Sequence, residues 1–273
     1  MAGVLADFSP ASTAAAVEAN LFFLFDHLRT WPRLELHDDG ACRWTVSHLP
    51  FPLFNSVVRA RFDVDSADAA IEARIRACAE RNVPMLWWTG PSTTPADLGE
   101  RLERRGFLPD PALGMVGDIH YISAQPSATV IEVEPVRDPA TLATWSRVLC
   151  HAFGAPPAFG DAFADLAATV GLLPPSPFRH FLGIVNGEAV ATCSLFFGAG
   201  VAGIYDVGTL PEQRRRGIGA AITRAAVADA AAAGYRIAIL HSSALGAAMY
   251  RALGFDAVCA IGQYVWAPEH FRR

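Results

Sequence analysis

The sequence contains no lysine: all 22 of its basic residues are arginine. That absence excludes a Walker phosphate loop, which ends in Gly-Lys-Ser/Thr, and also excludes self-acetylation on a lysine side chain. Cysteine is scarce. Cys42, Cys78, Cys150, Cys193 and Cys259 are scattered and odd in number, without metal-ligand spacing, so they read as reduced core residues and no metal is expected. Charge is sparse as well, at 18% of residues with a net of −5 and a pI near 5.9, which argues against nucleic acid as a partner. No stretch reaches the roughly 20 apolar residues of a membrane span, so no membrane partner is expected. Residues 1–20 are rich in alanine and lack the basic n-region of a signal peptide, and a cytoplasmic location is expected.

Hydrophobic residues are plentiful at 52%, enough for one large core or two moderate ones in a chain of 273 residues. The feature that points furthest is Leu210-Pro-Glu-Gln-Arg-Arg-Arg-Gly-Ile-Gly-Ala220, preceded by a strand-like Gly203-Ile-Tyr-Asp-Val-Gly-Thr209 and followed by an apolar helix. Strand, basic turn, two glycines and helix together make an anion site. The first amides of a helix have no internal partners, and its dipole adds partial positive charge. Glycines at 217 and 219 let a ligand approach the backbone without meeting a Cβ. A dinucleotide loop needs a third glycine where this chain has Ile222, so that reading fails.

Arg214-Arg-Arg-Gly217-Ile-Gly219 resembles the acyl-CoA loop of the GNAT N-acetyltransferases, Arg/Gln-x-x-Gly-x-Gly/Ala. Pro211 before it fits, as does Ala248-Met-Tyr250-Arg-Ala-Leu-Gly-Phe255 after it, which looks like that family's tyrosine-bearing helix. The resemblance implies an α/β (mixed α+β) fold: a mixed central sheet flanked by helices. It implies acetyl-CoA as cosubstrate, with no metal. The donor would be bound by Val207, Gly208, Thr209, Arg214, Arg215, Arg216, Gly217, Ile218, Gly219, Ala220 and Ser243. It implies Tyr250 as a general acid at the departing thiolate, or as a side chain packed against the cofactor. Ser243 would contact the cofactor arm, or with Ser242 cap the following helix.

The general base is less legible. An amine is protonated at neutral pH, so some group must take its proton before attack. Asp206, on the strand before the loop, is the nearest carboxylate in sequence. Whether it faces the acyl group depends on strand parity and on a possible bulge. It is the second catalytic candidate, or else a structural hydrogen-bond partner. His151, His180 and His241 read as packed histidines. The strand at 191–197 carries no carboxylate.

Along the chain, strands are expected at 129–134, 181–185, 188–197, 203–209, 236–241 and 255–266, and helices at 139–152, 161–170, 217–233 and 244–253. The N-terminal half carries a faint echo, with strands at 42–48, 57–62, 85–89 and 115–120 and helices at 67–81 and 95–105. Leu102-Glu-Arg-Arg-Gly-Phe107 lines up with Tyr250-Arg-Ala-Leu-Gly-Phe255, which suggests a diverged tandem duplication. The echo lacks the chemistry, because Leu102 replaces Tyr250 and Asp63-Val-Asp-Ser66 replaces the glycine loop. Two GNAT-like domains are therefore expected, 1–125 degenerate and 126–273 binding acetyl-CoA, joined by a linker at 123–127. An unrelated α+β domain is the alternative for the first.

The expected reaction is direct transfer of acetyl to a primary amine of a small molecule by a monomer or homodimer. A protein or peptide amine, or a non-catalytic acyl-CoA or metabolite sensor, are the alternatives. Phe153, Phe159, Phe163 and Phe178 either favour an apolar or aromatic acceptor or pack against the N-terminal half.

Overall fold

The structure, a computed structural model, describes residues 3–271. The N-terminal half contains α1 (Pro10–Leu28), β1 (Glu35–Asp38), β2 (Arg43–Val46), β3 (Ser56–Val58), α2 (Ala67–Glu80), β4 (Met85–Thr89), α3 (Leu98–Glu103), β5 (Leu108–Pro109), β6 (Ala112–Asp118) and α4 (Ile119–Ala124). The C-terminal half contains β7 (Glu132–Pro135), α5 (Pro139–Phe153), α6 (Ala158–Val170), β8 (Phe178–Val185), β9 (Glu188–Gly198), β10 (Val201–Thr209), α7 (Ile218–Ala232), β11 (Ile237–Ser242), α8 (Ala247–Leu253) and β12 (Phe255–Trp266). The fold is the expected mixed α/β type.

Local chemistry explains the boundaries. Asp138 caps α5 by accepting from the amides of Ala140 and Thr141, both at 2.9 Å, and Gly154 ends that helix in the left-handed region. Asn186 and Gly187, both at positive φ, form the tight turn that joins β8 to β9 and whose backbone twist suits a hairpin. Several boundaries differ from expectation: β7 begins at Glu132 rather than 129, α3 is shorter than 95–105, α8 begins at Ala247 rather than 244, and α1 and β1 are not among the expected elements. The segment 123–127 is not all linker, because Asp118 caps a further helix, α4, by accepting from His120 and Tyr121. β3 stops at Val58 because Arg59 turns to a φ of 54°.

All strands join one sheet in the order β1-β2-β3-β4-β12-β6-β11-β10-β9-β8-β7, with β5 beside β12. The echo is visible in it. β3, α2, β4, α3 and β6 repeat the order β10, α7, β11, α8 and β12, and in each set the first two strands pair in parallel. The last strands are exchanged: β6 pairs with β11, while residues 262–266 of β12 pair with β4. β6 and β12 also pair with each other where the halves meet, with a bulge between Ala257 and Cys259. Helix α1 then lies across the second half, and its Asn20 side chain donates to the carbonyl of Gly198 at 2.9 Å and accepts from the Tyr205 hydroxyl at 2.8 Å.

This exchange has a testable consequence. Residues 126–273 expressed alone leave one edge of β11 and the whole of β12 without strand partners, and uncover the apolar face beneath α1. That fragment is expected to be insoluble, or to lack a cooperative thermal transition, while the full chain melts in one step. A fragment that is soluble and melts cooperatively would refute this dependence.

Candidate active site

β10 and β11 run in parallel register through Ala202↔Ala238, Gly203↔Ile239 and Ile204↔Leu240, and there their pairing ends. Beyond that point residues 205–209 pair only with β9, while His241 and Ser242 pair only with β6. The strands part, and their facing backbone groups line a wedge. A bulge opens it: Tyr205 opposes Ser194 and Gly208 opposes Thr192, so Asp206 and Val207 together face the single residue Cys193. Asp206 lies at φ 55°, an uncommon position for a residue with a side chain. The Thr192 hydroxyl holds its carbonyl at 2.7 Å.

The basic turn sits at the end of this wedge. Arg215 and Gly217 take φ values of 63° and 78°, so successive amides turn inward before α7 begins at Ile218. A Cβ on Gly217 would overlap the Thr129 hydroxyl, which donates to the Arg216 carbonyl at 3.0 Å. Gly219 differs, because a Cβ there would lie 3.3 Å from Met249 Sδ and 3.6 Å from Thr209 Oγ1, at the mouth of the wedge. Backbone donors at a helix N-terminus, a glycine surface and a splayed pair of strands suit a long ligand with an anionic middle.

Residues 145–255 match the family model described as Acetyltransferase (GNAT) family. That stretch makes the C-terminal half similar to the GNAT acetyltransferases. No curated protein matches the sequence. Among solved structures it is similar to a GCN5-related N-acetyltransferase from Kribbella flavida, 18% identical with a TM-score of 0.71 over 95% of this chain and 97% of that one. A functionally unknown conserved protein from Staphylococcus epidermidis is 15% identical, with a TM-score of 0.63 over 85% and 92%. A tandem GNAT protein from the clavulanic acid biosynthesis pathway is 14% identical, with a TM-score of 0.56 over 97% of both chains. At these identities the likeness is one of fold.

Within the C-terminal half, the three arginines part ways. Arg214 spans from the turn to α5, donating to the carbonyls of Ala152 at 2.7 Å and Thr209 at 3.1 Å. Arg216 binds the Gln213 side chain. Arg215 is exposed and makes no hydrogen bond or ion pair among the described residues. Arg214→Ala is therefore expected to cost about 1 kcal/mol in chemical denaturation. Arg215→Ala should leave stability unchanged and weaken CoA binding in a salt-dependent way. The reverse pattern would refute this division.

Tyr250 is buried in the middle of α8, beside Cys193 and edge-on to Phe255 at 5.9 Å. Burial, and then the neighbouring thiol, raise its phenol above the usual value, so it stays protonated at neutral pH. Asp206 is pushed upward by burial, an effect opposed by a hydrogen bond from Ser194. Ser243 serves the turn before α8, where its carbonyl accepts from Gly246 at 3.1 Å and Ala247 at 3.2 Å and its hydroxyl oxygen lies 3.4 Å from the Gly246 amide.

Of the histidines, His151 is exposed on α5. His180 is buried and hydrogen-bonds Ser194, a pairing that sequence reasoning missed. His241 lies on the wedge strand, 6.0 Å from the ring of Tyr205 and 5.8 Å from that of Trp88, and burial holds it neutral with a pKa of about 4. The phenylalanines divide too. Phe159 and Phe163 pack on Phe51, and Phe163 also on Phe54, both from the N-terminal half. Phe178 packs on Phe196, and only Phe153 is exposed. They say little about an acceptor.

The N-terminal echo is closed where the C-terminal half is open. Arg59, at φ 54°, holds the place of Asp206 and pairs with Asp38 at 2.5 Å. Arg61 bridges Thr94, and the amides of Phe62 and Thr94 bond the carbonyls of Thr94 and Ala60 at 3.0 and 3.1 Å. No second wedge remains at this position.

Proposed function

We propose that the chain transfers an acetyl group from acetyl-CoA to a primary amine of a small molecule by direct attack on the thioester. The observation that carries this reading is the parting of β10 from β11 beside the glycine turn. The amides around residues 214–220 bind the pyrophosphate, and the unpaired groups of Val207, Gly208 and Thr209 hold the pantetheine arm. An amide on the splayed strand polarises the thioester carbonyl, and holding both substrates side by side removes most of the entropic barrier. Asp206 takes the ammonium proton. A carboxylate raised by burial is a better base for that task than a solvated one. Tyr250 protonates the departing thiolate.

CoA release from acetyl-CoA over a panel of small primary amines tests the reading, with calorimetry of CoA binding beside it. Saturable thiol release with at least one amine, together with CoA binding, is expected. CoA binding with no turnover over the panel would favour a sensor, and no CoA binding would overturn the proposal. Tyr250→Phe is expected to lower kcat only about 3- to 30-fold with KM for acetyl-CoA unchanged. A thiolate with a pKa near 8.5 leaves without much protonation. A 1000-fold loss would assign Tyr250 a larger role.

A further inference from the structure

After the exposed Glu188 at its start, strand β9 is apolar apart from two fully buried hydroxyls, Thr192 and Ser194, two residues apart and therefore on one face. Both are directed at one residue. Thr192 holds the Asp206 carbonyl, and Ser194, opposite Tyr205 at the edge of the bulge, lies where its hydroxyl lowers the pKa of the Asp206 carboxyl. Behind Ser194, on β8 and directly opposite it in register, lies His180, with Nδ1 2.7 Å from Ser194 Oγ. His180 is 5% exposed, its Nε2 has no partner, and the Trp145 ring lies 4.5 Å away.

The protons in this row can be assigned. Ser194 has one hydroxyl proton, and an ionised carboxylate only accepts, so that proton goes to Asp206. Ser194 Oγ then accepts from His180, which requires hydrogen on Nδ1 and leaves Nε2 as a bare lone pair. The unpartnered nitrogen is the one this bookkeeping leaves without a proton. Burial keeps the ring neutral, with a pKa of about 4, so the arrangement persists through the physiological range.

We propose that Ser194 and His180 are positioning residues of the active site. His180, as its Nδ1–H tautomer, donates to Ser194, which donates to Asp206 and fixes the carboxylate at the bulge. The proposal rests on the reading of Asp206 as the proton acceptor. Two strands in register and the bulge of the third make the row, and it explains how a left-handed aspartate is kept in one place. The titratable neighbours that sense the Asp206 charge are Cys193 and Tyr205, with His241 beyond Tyr205 on β11.

The test uses the full chain labelled with 15N-histidine and 13Cγ-aspartate, with H180N and D206N spectra providing the assignments. A neutral His180 ring with protonated Nδ1 and bare Nε2 is expected. In S194A the titration midpoint of Asp206 should move up by about one pH unit, because the charged form loses a donor. H180L should move it in the same direction by less, whereas H180N, whose side-chain amide can replace the Nδ1–H donor, should restore it. S194A should lower kcat while leaving KM for acetyl-CoA unchanged. A protonated Nε2 on His180, or an unmoved Asp206 midpoint in S194A, overturns the row. Wild-type thiol release by D206N instead overturns the base reading, and with it any catalytic purpose of the row.

Discussion

Asp206→Asn is expected to lower kcat/KM for acetyl transfer by about 100-fold or more, equivalent to roughly 3 kcal/mol of transition-state stabilisation. Asparagine keeps the size and the hydrogen-bonding reach of the side chain but cannot take a proton. Calorimetric affinity for CoA should stay at the wild-type value, because nothing in the glycine turn depends on that carboxylate. The wild-type pH profile has a definite sign. Burial raises the Asp206 pKa, so kcat/KM falls as pH drops through a value above the ordinary carboxylate range, and this limb disappears in the variant. Turnover by D206N within threefold of wild type, or an unchanged acid limb, would refute the assignment.

Gly219→Trp is expected to weaken CoA binding by roughly 100-fold or more, through loss of charge-assisted bonds worth about 1.5–3 kcal/mol each. The position is chosen for its geometry. A Cβ there meets only the flexible Met249 and the Thr209 hydroxyl at ordinary or slightly tight distances, so the helix can form. The ring would then fill the mouth of the wedge. Gly217 is a poorer position for this test, since its φ of 78° and its overlap with Thr129 would strain the fold whatever happened to the ligand. Thermal melting of Gly219→Trp close to wild type, with CoA binding lost, is the expected pair of results. Undiminished binding would remove the turn from the donor site.

The proposed donor side is legible because its parts are neighbours in the chain. Strand, basic turn, glycines and helix follow one another between Gly203 and Ala232, and backbone amides need no distant partner to form an anion cradle. The elements around it follow from periodicity and turn chemistry, as the Asn186-Gly187 hairpin and the Asp138 cap illustrate. The proposed base and its neighbours are assembled across strands. Ser194, His180 and Asp206 meet only because β8 and β9 pair in register and β10 bulges beside them, and nothing in the spacing of 180, 194 and 206 announces it. A pair of hydroxyls two apart in an apolar strand was the one available signal.

By itself, then, the sequence determined the mixed α/β class, the glycine turn before α7 and the absence of a matching turn in the first half. Tertiary structure alone decided that β6 and β12 change places, that the wedge stays open beside Asp206 and is bridged beside Arg59, and that Arg214 braces the turn rather than facing outward. The physical reason is range. Capping, turn and helix-dipole terms act within a few residues, whereas strand pairing and burial join residues whose separation along the chain carries no trace of their contact.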